Sequence, residues 1–146
     1  MLRRTKLSGI NRIIDANINR SKEGLRVCEE ITRFILNSRS LTSDFKLIRH
    51  EIDVAVAGLI LKSSLLKARS SLKDVGEKIY INELKRRNIR DVFFANIQRV
   101  KESIRVLEEF SKLINVKSAL KFKGARYKIY EIEKKTAAAV SAISAH

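Results

Sequence analysis

The sequence contains no proline and only five glycines among its 146 residues. Proline breaks or kinks helices and glycine weakens them, so this chain carries few signals that would interrupt a helix. Leu, Ile, Lys, Glu, Arg and Ala, which favour helices, are abundant instead. The composition therefore predicts an all-α fold, and the length predicts a single helical domain over residues 1–146.

A single cysteine, Cys28, excludes an internal disulfide bond. It falls on the apolar side of a helical pattern, which predicts a small, buried core residue. A chain without disulfides is typical of a reducing compartment, so we expect a cytoplasmic location.

Long apolar runs are also missing. The basic first twelve residues lack the apolar run of a signal peptide. The most apolar segment, residues 52–61, contains Asp53 and is far shorter than the roughly 20 residues that a membrane span needs. We therefore expect no membrane partner. We interpret residues 52–61 as a core or subunit-interface helix, and together with the small-residue tail Thr136–Ile143 this predicts a homo-oligomer.

The formal net charge is +15. Such a charge favours anionic partners in general: nucleic acid, acidic lipid or phosphorylated metabolites. A thermophile surface rich in Lys, Arg and Glu would look similar. Aromatic residues that could stack on bases are few, and Glu-Glu pairs interrupt the basic faces, so nucleic acid is the less favoured partner.

One stretch of the sequence occurs twice. Residues 16–34 and 95–113 are identical at ten of 19 aligned positions, with an offset of 79 residues. We predict two helical hairpins related by a pseudo-two-fold axis, which together form a four-helix bundle. The predicted helices span about residues 8–37, from a cap at Thr42 or Ser43 to about 68, 90–115, and from 117 or 124 to the tail.

The repeated face carries polar residues at equivalent positions: Asn17, Arg20 and Glu23 in the first copy, and Asn96, Arg99 and Glu102 in the second. Each asparagine lies within an apolar sector, and each Arg and Glu lies along its edge. A buried amide without a partner costs roughly 1–3 kcal/mol. The asparagines either fix the register of the bundle or form part of a polar ligand pocket between helices. By contrast, Arg26, Glu29 and Glu30, with their equivalents Arg105, Glu108 and Glu109, have the spacing of surface ion pairs.

Two further segments supply candidate ligand residues. In the least periodic region, the candidates are Arg69 and the segment 73–76: Gly76 would let backbone N–H groups approach an anion, and Asp74 could hold a metal, although a plain turn explains the segment equally well. In the last helix, Arg126 and Tyr127 could face the same interior, or could belong to ordinary core and rim packing. The sequence contains no P-loop, dinucleotide fingerprint, zinc-ligand cluster or nucleophile elbow, so it predicts no metal site of its own.

Four segments taken together resemble a known family: RIIDANINRSKEGLRVCEE, DVG at 74–76, FFANIQRVKESIRVLEEFSKL and ARYKIYEIEK. They are similar to the helical domain at the N-terminus of some bacterial thiamine-phosphate synthases, which is also found as a free-standing protein. The resemblance extends from Arg12 to Lys134, and the candidate residues of both repeats, of the DVG segment and of the last helix match its motifs.

This family is proposed to act as an alternative hydroxymethylpyrimidine-phosphate kinase. The resemblance therefore implies ATP-dependent phosphorylation of a small phosphorylated pyrimidine in thiamine biosynthesis, with ATP and Mg²⁺ as cofactors. An acceptor that is already a phosphate needs no general base, so such chemistry would rest on alignment and charge neutralisation. The alternatives are a non-catalytic accessory or metabolite-binding module that partners thiamine-phosphate synthase, and a basic nucleic-acid-binding bundle. On the first interpretation, both triplets converge on one polar cavity near Asp74 and Gly76, and the arginine pair binds phosphate.

Overall fold

The structure is a computed structural model that describes residues 4–59, 69 and 84–144. The described residues form helices and no strand. In chain order the helices are α1 (Arg4–Glu30, extended by a π-helical turn at Ile31–Ile35), α2 (Arg39–Ala57), α3 (Ile89–Ser111) and α4 (Val116–Ser144). The predicted all-α class and the four helices are confirmed.

Local side-chain chemistry sets the helix ends. Asn37 adopts the left-handed conformation, with φ of 52°, which ends the first helix without a glycine. The Ser38 side chain then accepts a hydrogen bond from the Leu41 amide, so the cap of α2 lies four residues before Thr42, the earlier of the two predicted caps. At the start of α3, the Asn88 side chain accepts from the Asp91 amide in the same way.

Helices α1 and α2 form an antiparallel hairpin. Lys22 Nζ in α1 lies 2.8 Å from Asp53 Oδ1 near the end of α2. Seven residues later in α1, Glu29 Oε1 lies 2.9 Å from Arg49 Nη2, which is earlier in α2. Because later positions in one helix meet earlier positions in the other, the two helices run in opposite directions.

Helices α3 and α4 repeat this arrangement. Lys101 Nζ lies 2.9 Å from Glu133 Oε2, and Glu108 Oε2 lies 2.8 Å from Arg126 Nε. Lys101 and Glu108 are Lys22 and Glu29 shifted by the 79-residue offset of the sequence repeat. The duplicated sequence therefore folds into two hairpins whose first helices use the same residues to hold the second helices.

The two hairpins pack side by side to close the bundle. Each helix contacts two neighbours, in the order α1, α2, α4, α3 and back to α1. Glu51 of α2 forms an ion pair with Lys128 of α4, and Gly58 at the end of α2 contacts Ser118 at the start of α4. Neighbouring helices are thus antiparallel throughout, and the α1–α3 pair lies on the side opposite the α2–α4 pair.

Apolar side chains from every helix fill the centre. The largest fully buried ones are Phe45, Phe93, Phe122, Ile14, Leu25, Ile52, Ile97, Ile104, Leu107 and Ile129. Cys28 is buried, as predicted. Ile52, Ala55 and Val56 are also buried, so the described part of the apolar segment 52–61 belongs mainly to the core. No helix among the described residues is long and apolar enough to cross a membrane.

Candidate functional site

The two repeated asparagines occupy equivalent places on α1 and α3. Asn17 is buried and Asn96 is half-buried. The Asn17 amide nitrogen donates to the Ile13 carbonyl at 2.8 Å, and that of Asn96 donates to the Val92 carbonyl at 2.8 Å. Each amide therefore satisfies its nitrogen within its own helix. Neither side-chain oxygen accepts a hydrogen bond from another described residue, which leaves an acceptor at each equivalent position.

Helices α1 and α3 approach to backbone contact close to these asparagines. A Cβ atom added to Gly24 would lie 2.7 Å from Val100 Cγ2 and 3.0 Å from the Asn96 carbonyl oxygen. Only glycine permits this approach, because any side chain would push the helices apart. The equivalent of Gly24 in α3 is Ser103, whose small side chain is also buried.

The charged members of the repeat lie at the same crossing. Arg20 precedes Gly24 by one turn, and Arg99 directly precedes Val100, which contacts Gly24. Both arginines are exposed, and so are Glu23 and Glu102. The charged side chains therefore form an open surface beside the asparagines and do not line a closed cavity between helices, because the backbone contact at Gly24 leaves no room for one. Their role in ligand binding stays a prediction.

An ion pair that the sequence analysis missed lies beside the first triplet. Arg69 Nε and Nη2 donate to the two carboxylate oxygens of Asp15 at 2.7 and 2.8 Å. The Asp15 side chain is 11% exposed and that of Arg69 is 46% exposed. These hydrogen bonds, followed by the charges of Asp15 and Glu23, raise the pKa of Arg69. Arg69 is therefore held at Asp15 with its outer edge open to solvent, and because Asp15 and Asn17 are two residues apart on α1, their side chains point to different sides of the helix.

The predicted site residue Arg126 lies elsewhere, in the α3–α4 hairpin. It is buried and donates to Glu108 from Nε at 2.8 Å and from Nη2 at 3.4 Å. It also donates to the Tyr130 hydroxyl at 3.2 Å, and these hydrogen bonds raise its pKa. Tyr127, the neighbouring candidate, is exposed and lines a groove between α2 and α4. The structure thus does not bring Tyr127 together with the asparagines.

The interpretation of Glu29 and Glu108 as surface residues was wrong. Their exposed fractions are 0% and 4%. The i,i+3 partners Arg26 and Arg105 do lie near them, at 3.5 and 3.6 Å, but both arginines are more than half exposed. The stronger partner in each case comes from the following helix, and that helix covers the carboxylate.

A shallow groove connects the first triplet to the α1–α2 hairpin. Its volume is about 360 Å³, and it is lined by Lys22, Glu23, Arg26 and Arg49. Lys22, Arg26 and Arg49 already pair with carboxylates. Their charge is therefore largely neutralised, which makes this groove a weaker anion site than the α1–α3 crossing.

The remaining predicted residues, Asp74 and Gly76, lie outside the described residues. Within the described ranges, no group of three or more His, Cys, Asp or Glu side chains could hold a metal ion. The structure therefore shows three separate features: an asparagine oxygen on each of α1 and α3, the exposed arginines at the crossing, and the Asp15–Arg69 pair.

Comparison with known proteins gives a consistent family relationship. A family model described as the ThiD2 family matches residues 12–135. The chain is 38% identical over 125 residues to a thiamine-phosphate synthase of Nostoc sp., a match that covers 85% of this chain and 34% of that protein. It is 37% identical over 127 residues to the Synechocystis sp. protein of the same name, covering 86% and 36%. It is also 38% identical over 120 residues to the Rhodopirellula baltica thiamine-phosphate synthase, a match that covers 82% of this chain and 32% of that protein. No solved structure matches the chain.

These relatives confirm the predicted link to thiamine-phosphate synthases and to thiamine biosynthesis. They also correct one prediction. The relatives carry the name of a synthase, and neither this name nor the family match gives a hydroxymethylpyrimidine-phosphate kinase as the main function. The kinase activity expected from the resemblance is therefore not supported. The chain spans about a third of the length of the curated relatives it matches.

Proposed function

Because the chain belongs to the ThiD2 family, we propose that it is an accessory, metabolite-binding module that works with thiamine-phosphate synthase. The observation that carries this proposal is the similarity to about a third of each relative. About two thirds of each relative has no counterpart in this chain, so the matched region is a helical module of a larger protein. A module of this kind serves the synthase by binding one of its metabolites.

The ligand that we propose is a small phosphorylated pyrimidine, bound at the α1–α3 crossing. The side-chain oxygen of Asn17 or of Asn96, which has no partner among the described residues, is an acceptor that suits an amino group on a pyrimidine ring. Arg20 and Arg99 are donors, which suits a phosphate, because a guanidinium binds phosphate oxygens through two parallel hydrogen bonds. An open site fits a module that exchanges its ligand with a partner enzyme.

The test is calorimetric titration with hydroxymethylpyrimidine phosphate. We expect Arg20→Ala and Arg99→Ala each to weaken binding about tenfold or more, the loss expected when a charge-assisted hydrogen bond worth roughly 1.5–3 kcal/mol is removed. The control is Arg39→Ala, an exposed arginine at the start of α2 and away from the crossing. Unchanged affinity in both crossing variants, with intact helical circular dichroism, would remove the site assignment.

Further arms of the titration separate the remaining partners. ATP with Mg²⁺, predicted from the resemblance, is titrated alone and after the pyrimidine. Duplex DNA is titrated at several salt concentrations to test whether the +15 charge binds nucleic acid. Binding to DNA weakens steeply with salt, while binding of a metabolite at a specific site weakens less.

The partner is tested by adding the chain to the thiamine-phosphate synthase of the same organism. We expect a lower KM for its pyrimidine substrate or a complex in sedimentation analysis, and absence of both would contradict the accessory role. The cytoplasmic location expected from the cysteine usage stays a prediction.

A further inference from the structure

The outer face of the α2–α4 pair carries large apolar side chains that the bundle does not cover. Leu47 and Val54 of α2 are 60% and 41% exposed, and Leu120 and Tyr127 of α4 are 62% and 54% exposed. Within each helix the two residues are seven positions apart, so they lie two turns apart on nearly the same side. A monomer gains nothing from two apolar stripes facing water.

Two adjoining grooves run between these stripes. One has a volume of about 430 Å³ and is lined on its floor by Ile48 and Ile132. The other has a volume of about 310 Å³, reaches Val54 and Gly124, and shares Glu51 and Lys128 with the first. The face is therefore an apolar trough along the bundle axis, bridged at its middle by the Glu51–Lys128 ion pair.

Charge along the trough is divided between its two sides. The α2 side carries Asp44 and Glu51, and the α4 side carries Lys121, Lys128 and Lys135 as well as Glu131. The ion pair between Glu51 and Lys128 puts these two residues at one level. Asp44 is seven residues before Glu51 and Lys135 is seven after Lys128. Because the helices are antiparallel, Asp44 and Lys135 also lie at the same height along the bundle axis. This height is about 10 Å from that of the Glu51–Lys128 pair.

We propose that this face binds a second copy of the chain, with a two-fold axis parallel to the helices. In that arrangement α2 of each copy lies on α4 of the other. Rotation about this axis leaves the height of every residue along the axis unchanged, so residues at equal height in one copy meet across the dimer. Asp44 then faces the Lys135 position of the second copy, and the apolar stripes cover each other. An axis across the helices would instead place α2 on α2 and bring the acidic stripes together, which is unfavourable. The α1–α3 crossing stays open on the opposite side, so this dimer is independent of the proposed ligand.

The test is sedimentation equilibrium of the whole chain over micromolar concentrations. We expect a dimer. Asp44→Lys and Lys135→Asp each create two like-charge contacts per dimer, and we expect each to raise the dissociation constant about tenfold, a change equivalent to about 1.4 kcal/mol. The double variant with both substitutions restores opposite charges and should return the dissociation constant close to that of the unmodified chain. Lys46→Asp, on α2 but outside the trough, is the control for net charge.

A second variant tests the apolar contact. Leu47→Glu replaces an exposed side chain, so the urea midpoint should match that of the unmodified chain when both are measured below the dimer dissociation constant, while the dimer is lost at higher concentration. A monomer at tens of micromolar, a dimer that Leu47→Glu leaves intact, or a double variant no tighter than the single ones would each overturn the proposal.

Discussion

The buried pair between Glu108 and Arg126 provides the sharpest stability prediction, through the substitution Arg126→Met. Methionine keeps most of the aliphatic length of arginine but removes the guanidinium. Glu108 then loses both hydrogen bonds from Arg126 and retains only Arg105, whose nitrogen lies 3.6 Å away on a largely exposed side chain. The carboxylate stays covered by α4 and becomes a buried charge without an adequate partner.

The expected cost follows from this geometry. Removing one partner of a buried pair destabilises proteins by about 3–5 kcal/mol. We expect a value of about 3 kcal/mol, since Arg105 remains and the Arg126 side chain lies at the edge of the core. The double substitution Glu108→Met with Arg126→Met should recover most of the loss, because neither partner then remains buried and charged.

The assay is urea unfolding followed by circular dichroism, which yields a free energy for each variant if the transition is two-state. Arg105→Met is the matched control, with an expected cost under about 1 kcal/mol, as for exposed ion pairs. A cost of Arg126→Met no larger than that of Arg105→Met would contradict a buried charge pair between Glu108 and Arg126. A loss of pyrimidine binding without a loss of stability would return Arg126 to the ligand site.

Two other predictions use single substitutions. Gly24→Ala should destabilise the chain by about 1–3 kcal/mol, because the new Cβ meets Val100 and backbone at the α1–α3 crossing, whereas Gly124→Ala, with nothing within 4 Å, should stabilise it by up to about 1 kcal/mol. Equal effects of the two substitutions in urea unfolding would contradict the close approach. Burial, aided by the charge of Glu133, raises the pKa of the Cys28 thiol to about 12 from an ordinary 9.0. The folded chain therefore keeps a proton that the unfolded chain releases, and between these pH values this residue should lower stability by about 1.4 kcal/mol per pH unit. Cys28→Ala should show a correspondingly shallower alkaline loss, and identical slopes would exclude a strongly raised pKa.

Much of the fold could be predicted from the sequence. Helical periodicity and the lack of proline predicted an all-α fold, because helices depend on contacts within a few residues along the chain. The 79-residue repeat predicted that these helices form a bundle of two similar hairpins. The start of α2 was misplaced for a local reason. Thr42 resembles a cap, but the left-handed Asn37 ends the first helix earlier and Ser38 becomes the cap, while Thr42 donates to the Ser38 carbonyl and pairs with Thr32.

The site was predicted less completely. The periodicity correctly indicated that Asn17 is buried, but it did not indicate that the amide nitrogen donates to a carbonyl of its own helix. The sequence also indicated Arg20 and Arg99 as candidate residues, but it did not indicate that both side chains are exposed to solvent. Backbone contact at Gly24 decides this, and no single-helix pattern encodes how closely two helices approach.

The sequence by itself determined which residues are helical and which side of each helix is apolar, because both depend on local geometry at about 100° per residue. The tertiary structure alone decided which polar residues are covered. Glu29 has the local spacing of a surface residue and becomes buried only because α2 places Arg49 across it, 20 residues away in sequence. Asp15 meets Arg69 across 54 residues. Such pairs depend on the packing and register of separate elements, which the free energy of the whole bundle sets and no local pattern specifies.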